Sequence, residues 1–153
     1  MMSITPKISF VKGKGVYLMQ EINLEELFAE ARKAADLAYA PYSKFRVGAA
    51  LLADDGTVFT GCNVENRSFG LTICAERTAV VKAISGGRQS FKALAISTPD
   101  SEVPVGPCGA CRQVLSEFMD PSSPILFGGS GKEKVSTTLD VLYPYDSLHE
   151  LKS

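Results

Sequence analysis

From Leu24 onward, apolar residues recur at helical spacing. Leu24, Leu27, Phe28, Ala31, Ala34, Ala35 and Ala38 share one face of a predicted first helix. Asn23 is a natural N-cap, Glu26 completes a capping-box-like pair, and Pro41 closes the helix. The apolar run Val47–Ala53 then reads as a buried strand, Asp55-Gly56 as a hairpin turn, and Val58–Asn63 as its partner. A second helix is predicted from about Cys74 to Ser85, with Ala75, Ala79, Val80, Ala83 and Ile84 inward and Gly86-Gly87 ending it. Ala93–Ser97 follows as a short strand, and a third helix runs from near Cys108 to about Phe118, stopped by Pro121. Pro124–Phe127 is another strand, the Gly128–Gly131 stretch a turn, and Val135–Thr138 a weaker strand. The order α-β-β-α-β-α-β-β predicts an α/β fold, one sheet with helices on its faces.

Residues 1–20 stand outside this pattern as an N-terminal extension. They read either as a strand from Ile8 to Leu18 broken by Gly13-Lys14-Gly15, or as a disordered arm. Met19 is an alternative initiator, because regular patterning begins just after it. Residues 21–153 read as a single domain without repeat or linker.

Composition narrows the function class. A chain of 153 residues buries roughly 68–70% of its unfolded surface, so it folds without disulfide staples. Sixteen basic and 17 acidic residues nearly cancel, which argues against a partner gripped through phosphates, such as a nucleic acid polymer. No run of about 18 apolar residues exists to cross a membrane. Lys12, Gly13, Lys14 and Gly15 interrupt the N-terminal apolar residues, so no signal peptide is read there. The expected location is the cytoplasm, with the four cysteines as thiols or metal ligands.

Two segments carry chemistry: Cys74-Ala75-Glu76-Arg77 and Pro107-Cys108-Gly109-Ala110-Cys111. Each opens a predicted helix, where free backbone N–H groups favour a thiolate. Cys108 and Cys111, one turn apart, can grip one zinc ion, and Cys74 would supply a third sulfur. Three ligands leave a fourth position for water, the pattern of a catalytic rather than a structural site. Glu76 lies close enough to move protons for a water whose pKa the ion lowers to about 7. Three thiolates make such a site anionic, and the two helix N-termini and Arg77 are the candidates to offset that charge, Arg77 by hydrogen-bonding a ligand sulfur.

These segments, with Ser43-Lys44-Phe45-Arg46-Val47-Gly48-Ala49-Ala50-Leu51 and Gly61-Cys62-Asn63-Val64-Glu65-Asn66, resemble the cytidine deaminase family in its small, three-cysteine form. The resemblance runs from about residue 23 to 142. It implies a three-layer α/β/α fold around a mixed sheet of about five strands. It also implies one Zn2+ per chain, hydrolysis of cytidine or deoxycytidine to the uridine and ammonia in pyrimidine salvage, and a homotetramer with active sites near subunit interfaces. By the same resemblance Phe45 packs on the pyrimidine, Asn63 and Glu65 hydrogen-bond the ribose, and the backbone of Ala75 meets the base carbonyl. Two positions depart from the family pattern: Phe69 stands where a Tyr is frequent, and Ser147 where a stacking Phe falls, with Tyr145 or Leu148 as substitutes.

Blander readings stand beside these. Cys62 could close a four-cysteine structural site, or be a small buried hydrophobe. Cys108 and Cys111 alone could be a redox pair. The only histidine, His149, reads as a solvated surface residue, and so do Lys7, Lys12 and Lys14. Phe45 could be core, and Asn63 and Asn66 turn residues. The open alternatives are a deaminase of another small aminated heterocycle and a non-catalytic zinc-stabilised binding protein.

Overall fold

The computed structural model describes residues 11–12, 15–16 and 21–152. Asn23 caps helix α1 (Leu24–Ala35), its Oδ1 accepting from the Glu26 N–H at 3.1 Å. The helix stops at Ala35, well before Pro41. Leu37 and Ala38 turn their N–H groups back onto Ala34 and Ala35, and Tyr39 exchanges backbone hydrogen bonds with Asn63 and Glu65. A long-range pairing therefore ends the helix before the proline can.

Near the N-terminus, β1 (Val11–Lys12) pairs antiparallel with β2 (Gly15–Val16). The rest of the predicted Ile8–Leu18 strand lies outside the described residues, as does Lys7. The main sheet comprises β3 (Gly48–Ala53), β4 (Val58–Cys62), β5 (Phe91–Ser97), β6 (Pro124–Gly128) and β7 (Lys134–Thr138). Its order is β4-β3-β5-β6-β7, mixed, with β5 and β6 the parallel pair. Helices α2 (Ala75–Ser85) and α3 (Gly109–Phe118) cover one face and α1 the other, giving three layers. Among elements the sequence reading did not foresee are short α4 (Leu139–Leu142) and a 3-10 turn at Phe69–Leu71.

Side chains alternate between the faces with the period of two that a pleated strand imposes. Leu51, Leu94, Ile96, Ile125 and Phe127 fill the side toward α2 and α3. Ala50, Ala93 and Ala95 present a flatter surface to Phe28 and Ala31 of α1.

Two glycines let the helices come this close. A Cβ on Gly48 would collide with the Ala31 carbonyl of α1. One on Gly61 would lie 2.5 Å from both the Ala75 carbonyl oxygen and the Ala79 nitrogen of α2. The second contact seats the start of α2, and Cys74 with it, directly against β4.

Candidate metal centre and active site

Cys74 and Cys108 are the N-caps of α2 and α3, both in extended backbone conformation. Cys111 lies one turn into α3 and is buried, whereas Cys108 is exposed. The β4–α2–β5 and β5–α3–β6 connections bring the two helix starts to one place, and the three sulfurs lie within 4.8 Å of one another. The Cys74 and Cys108 sulfurs are 3.8 Å apart. An ion with Zn–S bonds of about 2.3 Å in a tetrahedron needs a sulfur–sulfur edge of about 3.8 Å. The donor set and its spacing fit zinc.

Cys62 is not part of this group among the described residues. It sits half-buried at the end of β4, its thiol donating to the Leu37 carbonyl at 3.4 Å. A closed four-cysteine site is thus not what the chain builds. Nor do Cys108 and Cys111 stand as an isolated pair, since Cys74 converges on them.

The protons of the cluster are unevenly held. Hydrogen bonding from Cys111 brings the Cys74 thiol down from 9.0 to about 5, and Arg77 adds to the effect against the cost of burial. The same contact with Cys74, together with burial and the charge of Glu76, pushes Cys111 up. Sulfurs this close resist carrying negative charge side by side without a cation. Metal binding must therefore expel protons, as thiolate ligation requires.

Glu76, in the first turn of α2, is 4% exposed. Burial, with the charge of Cys74, raises its carboxyl from 4.5 to about 7, while its own backbone N–H and Cys111 pull the other way. A carboxyl near neutrality can both take and return a proton. Arg77 extends over the cluster, with Nη2 3.5 Å from the Cys74 sulfur and 3.4 Å from the Thr72 carbonyl oxygen. Its Nε is buried without a hydrogen-bond partner among the described residues. Ala75 occupies the first position of α2, where a helix leaves backbone N–H groups without intrahelical acceptors.

The remaining candidates line the segment before β3. Asn63 and Glu65 face inward while Val64 between them is exposed, as alternation along an extended stretch demands. Both side chains engage residues 42–47. Asn63 accepts from the Val47 N–H and donates to the Phe45 carbonyl, each at 2.8 Å. Glu65 accepts from the N–H of Tyr42 at 2.9 Å and of Ser43 at 3.2 Å, and from the Ser43 hydroxyl. Phe45 is half-buried. Phe69 is 75% exposed and meets Tyr42 edge-on, with ring centroids 5.9 Å apart. Ser147, Tyr145, Leu148 and His149 are all exposed near the C-terminus.

Sequence reasoning missed three supports of this region. The Ser43 hydroxyl accepts from the Phe45 N–H at 3.0 Å. Arg46 binds Asp100, a partner too distant in sequence for any local pattern to suggest. Arg112, beside Cys111, donates to the carbonyls of Pro107 and Leu142 at 2.8 and 2.9 Å, tying the 108–111 segment to α4. Its adjacency to a ligand was the one available signal.

The family described as the cytidine and deoxycytidylate deaminase zinc-binding region matches residues 21–126. A cytidine deaminase of Sporosarcina psychrophila is 53% identical over 123 residues, covering 80% of this chain and 90% of that protein. One from Halalkalibacterium halodurans is 48% identical, covering 77% and 89% respectively. The crystal structure of cytidine deaminase from Burkholderia pseudomallei superposes with a TM-score of 0.76 at 42% identity, covering 80% of this chain and 98% of that one.

Proposed function

The chain belongs to the cytidine and deoxycytidylate deaminase zinc-binding family, and from that premise we propose that it hydrolyses cytidine and deoxycytidine to the corresponding uridine and ammonia. The observation that carries this reading is the convergence of the Cys74, Cys108 and Cys111 sulfurs beside the buried Glu76 carboxyl. A purely structural metal site has no use for that carboxyl.

Cys74, Cys108 and Cys111 would hold one Zn2+ per chain, which when bound would supply acidified water at neutral pH. Glu76 does the proton work. One proton of the attacking water passes through its carboxylate to the ring nitrogen, and the second goes to the departing amine, so the base leaves as a uracil and the amine as ammonia. The N–H of Ala75 meets the base carbonyl, and Phe45 packs against the pyrimidine face. Asn63 keeps one amide N–H beyond its two backbone bonds, and Glu65 keeps lone pairs beyond its own, which leaves both able to meet ribose hydroxyls. Arg77 offsets the negative charge of the sulfurs.

Residues 21–153 act as one deaminase domain, with residues 1–20 an extension. Tyr39, Val64 and Ile73, joined by isolated backbone bridges, are exposed, as are Tyr42, Phe69 and Leu71, and such apolar exposure favours association of copies, for which a homotetramer is the expected form. Among the described residues, no helix is long and apolar enough to cross a membrane. Sulfurs kept free for zinc suit the reducing cytoplasm and a place in pyrimidine salvage.

The test is the loss of cytidine absorbance on adding purified protein, beside other aminated heterocycles, with zinc content and molar mass measured on the same sample. Cytidine turnover is expected. Zinc without turnover of any base would replace this reading with the non-catalytic binding protein.

A further inference from the structure

Lys44 has φ +58°, a left-handed conformation that a lysine seldom adopts and that persists only where its surroundings impose it. The imposing contacts come from two sides. From the stretch after β4, Glu65 holds the N–H groups of Tyr42 and Ser43, and Asn63 grips the backbone of Phe45 and Val47. From the chain after β5 comes Asp100. Asp100 Oδ2 accepts from the Arg46 backbone N–H at 2.8 Å and from its Nε at 3.0 Å, while Oδ1 accepts from Nη2 at 2.7 Å. Arg46 Nη1 also reaches Asp36, just past α1, at 3.3 Å.

Asp100 stands beyond β5, in the loop that runs on to Pro107 and Cys108. The Arg46–Asp100 contact therefore joins the segment bearing Phe45 to the chain that delivers two of the three sulfurs. Exposed ion pairs contribute little to stability, but a planar guanidinium held at two edges and reinforced by a backbone bond fixes geometry. Phe45 itself makes no polar side-chain contact, so its place relative to the sulfurs depends on such ties.

We propose that Arg46, acting through Asp100, is a positioning residue that sets the spacing between the Phe45 ring and the cysteine cluster. The proposal rests on the reading of Phe45 as the pyrimidine platform of a cytidine deaminase. Loss of the tie lets the platform drift, and the bound base with it, weakening nucleoside binding more than the proton transfers at Glu76.

The experiment compares R46Q, D100N, the double variant and R46K with the wild-type protein, measuring kcat, KM for cytidine, zinc content and Tm. Zinc content should stay at the wild-type level. In R46Q and D100N, KM should rise about fivefold while kcat changes less, the loss that weakened ground-state positioning gives. The double variant should be no worse than the worse single, because one contact is removed twice. R46K should recover part of the loss, keeping charge without the bidentate fork. If the variants lower Tm and kcat but leave KM unchanged, Arg46 merely braces the fold and the proposal falls. A wild-type protein that does not turn over cytidine at all would instead bring down the reading beneath it, and the proposal with it.

Discussion

The guanidinium of Arg77 reaches the Cys74 sulfur at 3.5 Å from within the helix that Cys74 itself caps. The proposed ligand and the proposed compensating charge are three residues apart, so a single helical turn builds both. Arg77→Gln leaves a shorter neutral side chain and removes the charge. It should weaken zinc affinity by about 10–100-fold, the usual loss when a partner behind a ligand is removed. Competition with a chromogenic chelator measures this, and unchanged affinity would dismiss the role.

Glu76→Gln should keep zinc and fold while turnover falls by about 10²–10⁴-fold, the range associated with a positioned proton shuttle. The neutral amide is also easier to bury than a carboxylate, so Tm should not fall. A variant that retained full turnover would remove Glu76 from the chemistry.

A zinc ion held by the proposed native cluster should bind the dispersed cysteines of the unfolded chain far more weakly. Free zinc at about 100 times its dissociation constant should therefore add roughly 2.7 kcal/mol of stability. Calorimetry with and without chelator checks it. Cys111→Ser, which removes the buried ligand, should abolish the zinc-dependent rise in Tm.

Gly61→Ala drives a methyl group into the backbone of α2. Overpacking of this kind costs about 1–3 kcal/mol. Here the displaced element carries Cys74 and Glu76, so zinc retention should fall together with Tm. Loss of stability with full zinc affinity would show that α2 moves as a rigid unit without disturbing the cluster.

Asp100 has its carboxyl lowered from 3.8 to about 2, chiefly by hydrogen bonding to the Arg46 side chain and then to its backbone N–H. Because the folded value is depressed, this contact stabilises above the unfolded value near 4 and is lost as pH falls toward 2. Urea midpoints measured between pH 5 and 2 should thus converge for the wild type and Asp100→Asn at the acid end. Exposure keeps the difference small throughout.

Much of this architecture could be read without coordinates. The apolar periods of α1, α2 and α3 and the runs of β3 to β6 are local, and their cores formed on the faces those periods mark. Boundaries were less secure: α1 ends where Tyr39 pairs with Asn63 and Glu65, a pairing that no local pattern announces. Helix α4 is too short for periodicity to reveal.

For the site, the sequence determined its chemical inventory: three cysteines at helix starts, a carboxyl and a cation beside the first of them, and a pattern matching one family. Donor identity and helix position are properties of neighbouring residues, so they travel with the chain. Tertiary structure decided what depends on distance through space. It left Cys62 against Leu37 instead of the cluster, buried Glu76 deeply enough to lift its carboxyl, and joined Arg46 to Asp100. Contacts between residues far apart in sequence, and the desolvation that shifts a proton, exist only once the sheet and helices have closed around them.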